Sequence, residues 1–81
     1  MGLQCDTIKD LILAHIQDAD VRVDSPDNHH FFGLVVSPSF EGQTLLVRQR
    51  RVYQALQAVI ASGELHAISF KTKTPTELQA G

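Results

Sequence analysis

The sequence predicts an α+β fold, a two-layer α-β-β-α-α-β sandwich with helices on one face of a small sheet. Three patterns carry that prediction. Apolar residues recur at helical spacing near the start of the chain and again from Leu45 to Ile60. Between these stretches lie two short runs of β-type composition, separated by Ser25-Pro26-Asp27-Asn28. A third such run follows Ser62-Gly63. Eighty-one residues suit one domain, spanning 1–81, with a thin core.

In the first helix Ile8, Leu11, Ile12, His15 and Ile16 fall on one stripe. Asp6 or Thr7 is the expected cap, and the helix should end before Asp20. Val21 and Val23 then alternate with Arg22 and Asp24, the mark of a short half-buried strand. Pro26 presets φ in the following turn, where Asp27 and Asn28 can bond their own backbone. Phe31 to Val36 is a denser run that should form a second, more buried strand, paired with the first as a hairpin.

Ser37 to Gln43 reads as a loop carrying Phe40 and Gly42. From Thr44 the helical period returns through Leu45, Leu46, Val52, Leu56, Val59 and Ile60. That span is long for one helix and its stripe breaks at Arg48–Arg51, so two short helices bending there are at least as good an expectation. Gly63 should stop the helix in the left-handed C-cap conformation. Leu65 to Thr72 reads as a third strand, and Thr74-Pro75-Thr76-Glu77 can open a last helical turn with Pro at its first position.

Composition narrows the function. Apolar residues make up 43% and charged residues 20%, values ordinary for a water-soluble chain. There is no room for separate cofactor and substrate domains, so size favours a binding module over an enzyme. No nucleophile elbow, phosphate-binding loop or paired zinc motif occurs, although Ser37, Ser39, His66 and the acidic residues could be drawn as a triad. Cys5 is the only cysteine, which forbids an internal disulfide and suits a reducing compartment. The first residues lack the basic and apolar regions of a secretory leader, Asp6 breaks a myristoylation pattern, and no apolar run could span a membrane. A cytoplasmic location is therefore expected.

The net charge of −2 hides an asymmetry. Through His30 six aspartates (6, 10, 18, 20, 24 and 27) face only Lys9 and Arg22. Beyond it Arg48, Arg50, Arg51, Lys71 and Lys73 face Glu41, Glu64 and Glu77. Such polarity can steer a charged partner, but the balance is not that of a dedicated nucleic-acid binder.

Three blocks resemble a known family. Val35-Val36-Ser37-Pro38-Ser39-Phe40-Glu41-Gly42, then Leu45 to Tyr53 with Leu56, resemble the central signature of the BolA family. Leu65-His66-Ala67-Ile68, with Thr72 and Thr74-Pro75, resembles the family's His-Ala strand and Thr-Pro exit. The resemblance covers nearly the whole chain, weakest before residue 20, and implies a fold like that of a class II KH domain. Gln49 departs from it, standing where the family usually has the His of Arg-His-Arg. So does Asp27, which occupies the place of a Cys that some members carry four residues ahead of the Phe matching Phe31.

The resemblance implies an adaptor that binds a monothiol glutaredoxin and co-ligates a bridging 2Fe–2S cluster, in cluster trafficking or iron and redox regulation. The partner supplies a Cys thiolate and bound glutathione, so the isolated chain, a monomer or weak homodimer, carries no cluster. His66 of the His-Ala block is the first expected ligand, since imidazole can replace thiolate at such iron. It shares strand parity with Ile68 and Phe70, so without the resemblance it reads as a hydrogen-bonded histidine at the core edge. His29 or His30 would be the loop ligand; neighbours on a strand face opposite ways, so one of them at most should reach a shared site. His29 lies nearer the loop apex and is favoured, while His30 matches a family His that can be structural. His15, on the first helix stripe, reads as a boundary residue.

Arg48, Arg50 and Arg51, with Lys71 and Lys73, are the expected contacts to glutathione carboxylates or an acidic partner, unless they form a solvated face. The alternative function is a KH-like nucleic-acid binder acting in transcription regulation, with DNA as the partner and the same arginines on phosphates. Against it, the span from Thr44 to Ser62 contains no Gly with which to build a Gly-x-x-Gly phosphate clamp.

Overall fold

The amphipathic stripe read from the first residues winds into α1 (Cys5–His15), which buries Ile8 and Ile12. The computed structural model describes residues 3–27, 29–65 and 67–80, the Ala67 side chain excepted. The helix starts earlier than its sequence suggests: Gln4, ahead of both expected caps, occupies the N-cap without a side-chain cap bond. Neither Asp6 nor Thr7 is the cap. Asp6 sits inside the first turn, where its charge favours the positive end of the helix dipole.

β1 (Asp20–Asp24) and β2 (His30–Val36) form the expected antiparallel hairpin, with Val21 opposite Val35 and Asp24 opposite Phe32. β3 (Ala67–Lys73) joins the other side of β2 in parallel, giving the order β1-β2-β3. Parallel pairing requires a crossover. Two helices supply it, α2 (Leu45–Ala55) and α3 (Gln57–Ala61), and α4 (Pro75–Ala80) closes the chain.

The break in the long helical span falls at Leu56, not at Arg48–Arg51 as the stripe suggested. Arg48 is 9% exposed and lies on the buried row with Val52, Leu56 and Val59. Its aliphatic stem acts as an apolar member of the stripe while the guanidinium finds partners at the edge. The α3 end is as expected: Ser62 caps it and Gly63 takes φ +81°.

Helices cover one sheet face only. Val21, Phe31 and Val35 pack there with Ile8, Ile12, Ile16, Phe40, Val52 and Leu56. The run Phe31–Val36 is therefore not buried throughout: Phe31 is 2% exposed but Phe32 is 51% exposed. Period-two alternation puts His30, Phe32, Leu34 and Val36 on the other face, which is uncovered at His30 and Phe32 and closed at Val36. The β3 residues opposite them are Ala67, Ser69, Lys71 and Lys73.

Candidate functional site

The turn between β1 and β2 is organised by one carboxylate. Asp27 Oδ1 accepts the backbone N–H of His29 (2.9 Å) and of His30 (2.8 Å), and Oδ2 lies 2.8 Å from His30 Nδ1. Ser25 Oγ donates to the His30 carbonyl at 2.7 Å. His30 is thus held at its backbone N–H, its carbonyl and one ring nitrogen. These bonds, led by the His30 backbone N–H and then its ring, hold the Asp27 carboxyl well below the usual carboxylate range. An ionised carboxylate only accepts, so in the neutral ring the proton sits on Nδ1 and Nε2 keeps the lone pair. The ring of His29, its neighbour at the apex, is exposed and has no partner among the described residues.

His66, the first expected ligand, lies outside the described residues. Its chain neighbour Ala67 opens β3 and pairs with His30. Among the described residues no three His, Cys, Asp or Glu side chains gather at one point. His15 is exposed in the last turn of α1, and Cys5 is a half-buried free thiol.

The signature block works quite differently. Ser37, fully buried, donates from its hydroxyl to Asp18 Oδ1 at 2.7 Å and accepts the Ser39 N–H. Its own N–H donates to the Lys73 carbonyl, carrying the parallel ladder one residue past β2. Ser37 caps a 3₁₀ turn (Pro38–Phe40) that drives Phe40 into the core, and Gly42 then takes φ +76° before Thr44 caps α2. Arg51 bonds Ser39 Oγ (3.1 Å) and Gln43 Oε1 (3.0 Å). Its guanidinium lies 5.2 Å and that of Arg48 5.8 Å from the centre of the Phe40 ring, both within cation–π range. The Ser37 hydroxyl, helped by Ser39, lowers the Asp18 pKa.

Arg48 also ties down the C-terminal helix. Its Nε donates to the Gln43 carbonyl (3.0 Å) and Nη1 to Glu77 Oε1 (2.6 Å). Glu77 meanwhile accepts the Thr74 N–H and donates its own N–H to Thr74 Oγ1, a capping box at the start of α4. Arg48 first and then the Thr74 N–H lower the Glu77 pKa. The sequence signal for that box is Thr-x-x-Glu, which also marks the helix start. The Asp27 bonds to the backbone of its own turn follow from the turn composition, whereas its bond to the His30 ring does not.

The five expected contact cations therefore divide. Arg48 and Arg51 are committed to internal partners, whereas Arg50 is exposed on α2 with no bond among the described residues. Lys71 and Lys73 stand on the same sheet face as His30. Gln49 is half-buried in α2. A cleft of about 510 Å³ opens between α2 and α4, lined by Gln43, Leu45, Arg48, Thr72, Lys73 and Glu77. Beside it, Leu45, Leu46 and Val47 leave apolar surface exposed on the first turn of α2, as does Leu78 on α4. None of the described helices is long and apolar enough to cross a membrane.

Comparison with known families puts this arrangement in context: the profile of the BolA-like proteins matches residues 8–77. The chain belongs to the BolA-like family. A BolA homologue from Coxiella burnetii has the same architecture, with a TM-score of 0.82 and 40% identity over 95% of this chain and 97% of the other. Among curated relatives, this BolA-like chain is 39% identical to the chloroplastic protein BOLA1 of Arabidopsis thaliana, over 86% of its own length and 43% of that protein. It is 38% identical to the chloroplastic/mitochondrial SufE-like protein 1 of the same plant, over 88% of its own length and 19% of that protein. It thus spans less than half of either. Acid stress protein IbaG of Escherichia coli is 31% identical, with 93% of this chain and 88% of that one aligned. Membership of a family whose fold also occurs within a SufE-like protein fits an iron–sulfur related role.

Proposed function

We propose that this BolA-like chain is a non-enzymatic adaptor that binds a monothiol glutaredoxin and lends imidazole to a 2Fe–2S cluster bridging the two proteins. The observation that carries the reading is the His30 ring: one nitrogen is held by Asp27, and the other is open at the end of the sheet where Ala67 pairs with His30. His66, bonded directly to Ala67, would be the second ligand. The partner's thiolate and glutathione would complete the set, and imidazole ligation would raise the cluster potential and make the cluster easier to pass on. Arg50, Lys71 and Lys73 are the cations free to meet glutathione carboxylates or an acidic partner face. The free Cys5 thiol suits a reducing compartment such as the cytoplasm.

The test is to mix the protein anaerobically with a 2Fe–2S-loaded monothiol glutaredoxin and glutathione, and to record absorption and visible circular dichroism. A new spectrum and a stable heterodimer, both lost in His66→Ala, are the expected result. An unchanged spectrum without co-elution would overturn the reading and leave DNA binding through the basic residues as the function to examine.

A further inference from the structure

If the chain lends a loop imidazole to a shared cluster, the turn has to decide which of two adjacent histidines does so. They differ in how they are held. The His29 ring is exposed and without a partner among the described residues, so both its tautomers and many of its rotamers are open to it. His30 has its N–H on Asp27, its carbonyl on the Ser25 hydroxyl and its Nδ1 on Asp27 Oδ2. A ring fixed through Nδ1–H to a carboxylate presents Nε2 as a preoriented donor, the arrangement that outer carboxylates give to metal-bound histidines. His30 also has the place for it, opposite Ala67 at the mouth of the parallel pair.

We propose that Asp27 is a positioning residue that fixes the His30 tautomer and aims Nε2 outward, making His30 rather than His29 the loop ligand. This assignment rests on the adaptor reading and reverses the order that loop position alone suggests. It also gives a role to the residue standing where some relatives carry Cys: in place of a thiolate that ligates directly, this chain has a carboxylate that prepares the imidazole three residues on. The carboxylate itself already accepts three bonds, two on Oδ1 and one on Oδ2, whereas His30 Nε2 accepts none among the described residues.

Two readouts test it. In the apo protein, long-range ¹H–¹⁵N spectra of the neutral rings should show His30 mainly with its proton on Nδ1. Asp27→Asn, whose amide N–H₂ can face the ring, should move that proton towards Nε2. With the 2Fe–2S-loaded glutaredoxin, Asp27→Asn and Asp27→Ala should weaken the mixed complex by about 10–100-fold. His30→Ala should remove its spectrum and His29→Ala should leave it intact. Loss of the spectrum in His29→Ala with retention in His30→Ala would overturn the assignment, as would wild-type binding by both Asp27 variants. A wild-type protein that gives no new spectrum would overturn the adaptor reading beneath it, whereas sensitivity of the wild-type spectrum to neither Asp27 nor His30 would sink the assignment alone.

Discussion

The two ends of β2 use polar side chains in opposite ways. At its C-terminal end, Ser37, Asp18, Ser39 and Arg51 form one bonded set and Arg48 and Glu77 another, joined through Gln43, with both arginines over Phe40. The donors and acceptors of these side chains are taken up by partners within the fold. At the N-terminal end Asp27 consumes three donors in the turn and leaves a ring nitrogen of His30 pointing away from all of them. A dense motif is thus the scaffold, while a sparse turn leaves one ring nitrogen without a partner among the described residues. The family signature marks the part that makes the fold, and the ligand proposed above lies at the other end of the same strand.

This contrast can be broken at its strongest point first. Phe40 is fully buried, and truncating such a ring costs about 3–5 kcal/mol. Phe40→Ala should therefore reduce stability to chemical denaturant by that order, with both arginines losing their ring. Where the variant still folds, the His29 and His30 amides should keep their hydrogen-exchange protection relative to β1. Loss of that protection in step with global stability would mean that the two ends are one unit.

Arg48 gives the next largest effect. Arg48→Met keeps an apolar stem but leaves the Gln43 carbonyl without the Nε donor and Glu77 without its cation. The expected cost is about 1–3 kcal/mol, read from the denaturation midpoint. Arg50→Met, one turn-position away and without internal partners, should change stability little yet weaken glutaredoxin binding. Equal effects of the two substitutions on stability would show that the cations do not divide as described.

These arginines also show where the sequence was legible. The hairpin, the Gly63 stop and the proline-led last helix follow from local rules: alternation, a left-handed cap and a preset φ. The position of the crossover break did not, because a hydropathy stripe counts Arg48 as polar throughout when only its tip is. The three expected arginine contacts were indistinguishable in one dimension for a related reason. Positions 48 and 51 share one side of the helix and 50 lies on another, and only the packed structure says which side meets Phe40 and Glu77. His29 and His30 could not be separated either, since the bond that distinguishes them comes from the Asp27 side chain and not from strand parity.

Acid sharpens the comparison by loading both ends at once. Asp18, Asp27 and Glu77 all have carboxyls held below their ordinary values by hydrogen bonds made in the folded state. A depressed folded-state value contributes stability that is present above the unfolded value, about 4, and is lost as pH falls through the folded one, a contribution that solvent discounts most heavily at the exposed Asp27 turn. The denaturation midpoint should thus be flat near neutrality and decline below about pH 5. Asp18→Asn and Glu77→Gln should start lower and decline less. A wild-type midpoint independent of pH down to acid would show that these bonds do not hold in solution.

The smallest effect on stability belongs to Asp27, although its carboxyl is the most perturbed of the three. Its partners are the exposed N–H groups and ring of a turn, all of which water can satisfy once the side chain is gone. Asp27→Ala should leave the denaturation midpoint at neutral pH close to wild type. Its effect should appear locally, as faster hydrogen exchange at the His29 and His30 amides with β1, β2 and β3 unchanged. If the substitution instead lowers the global midpoint as far as Arg48→Met does, the turn is part of the scaffold and the division between the two ends of β2 fails. A local effect alone leaves Asp27 with no structural load to explain it, and the orientation of His30 as the property its carboxylate controls.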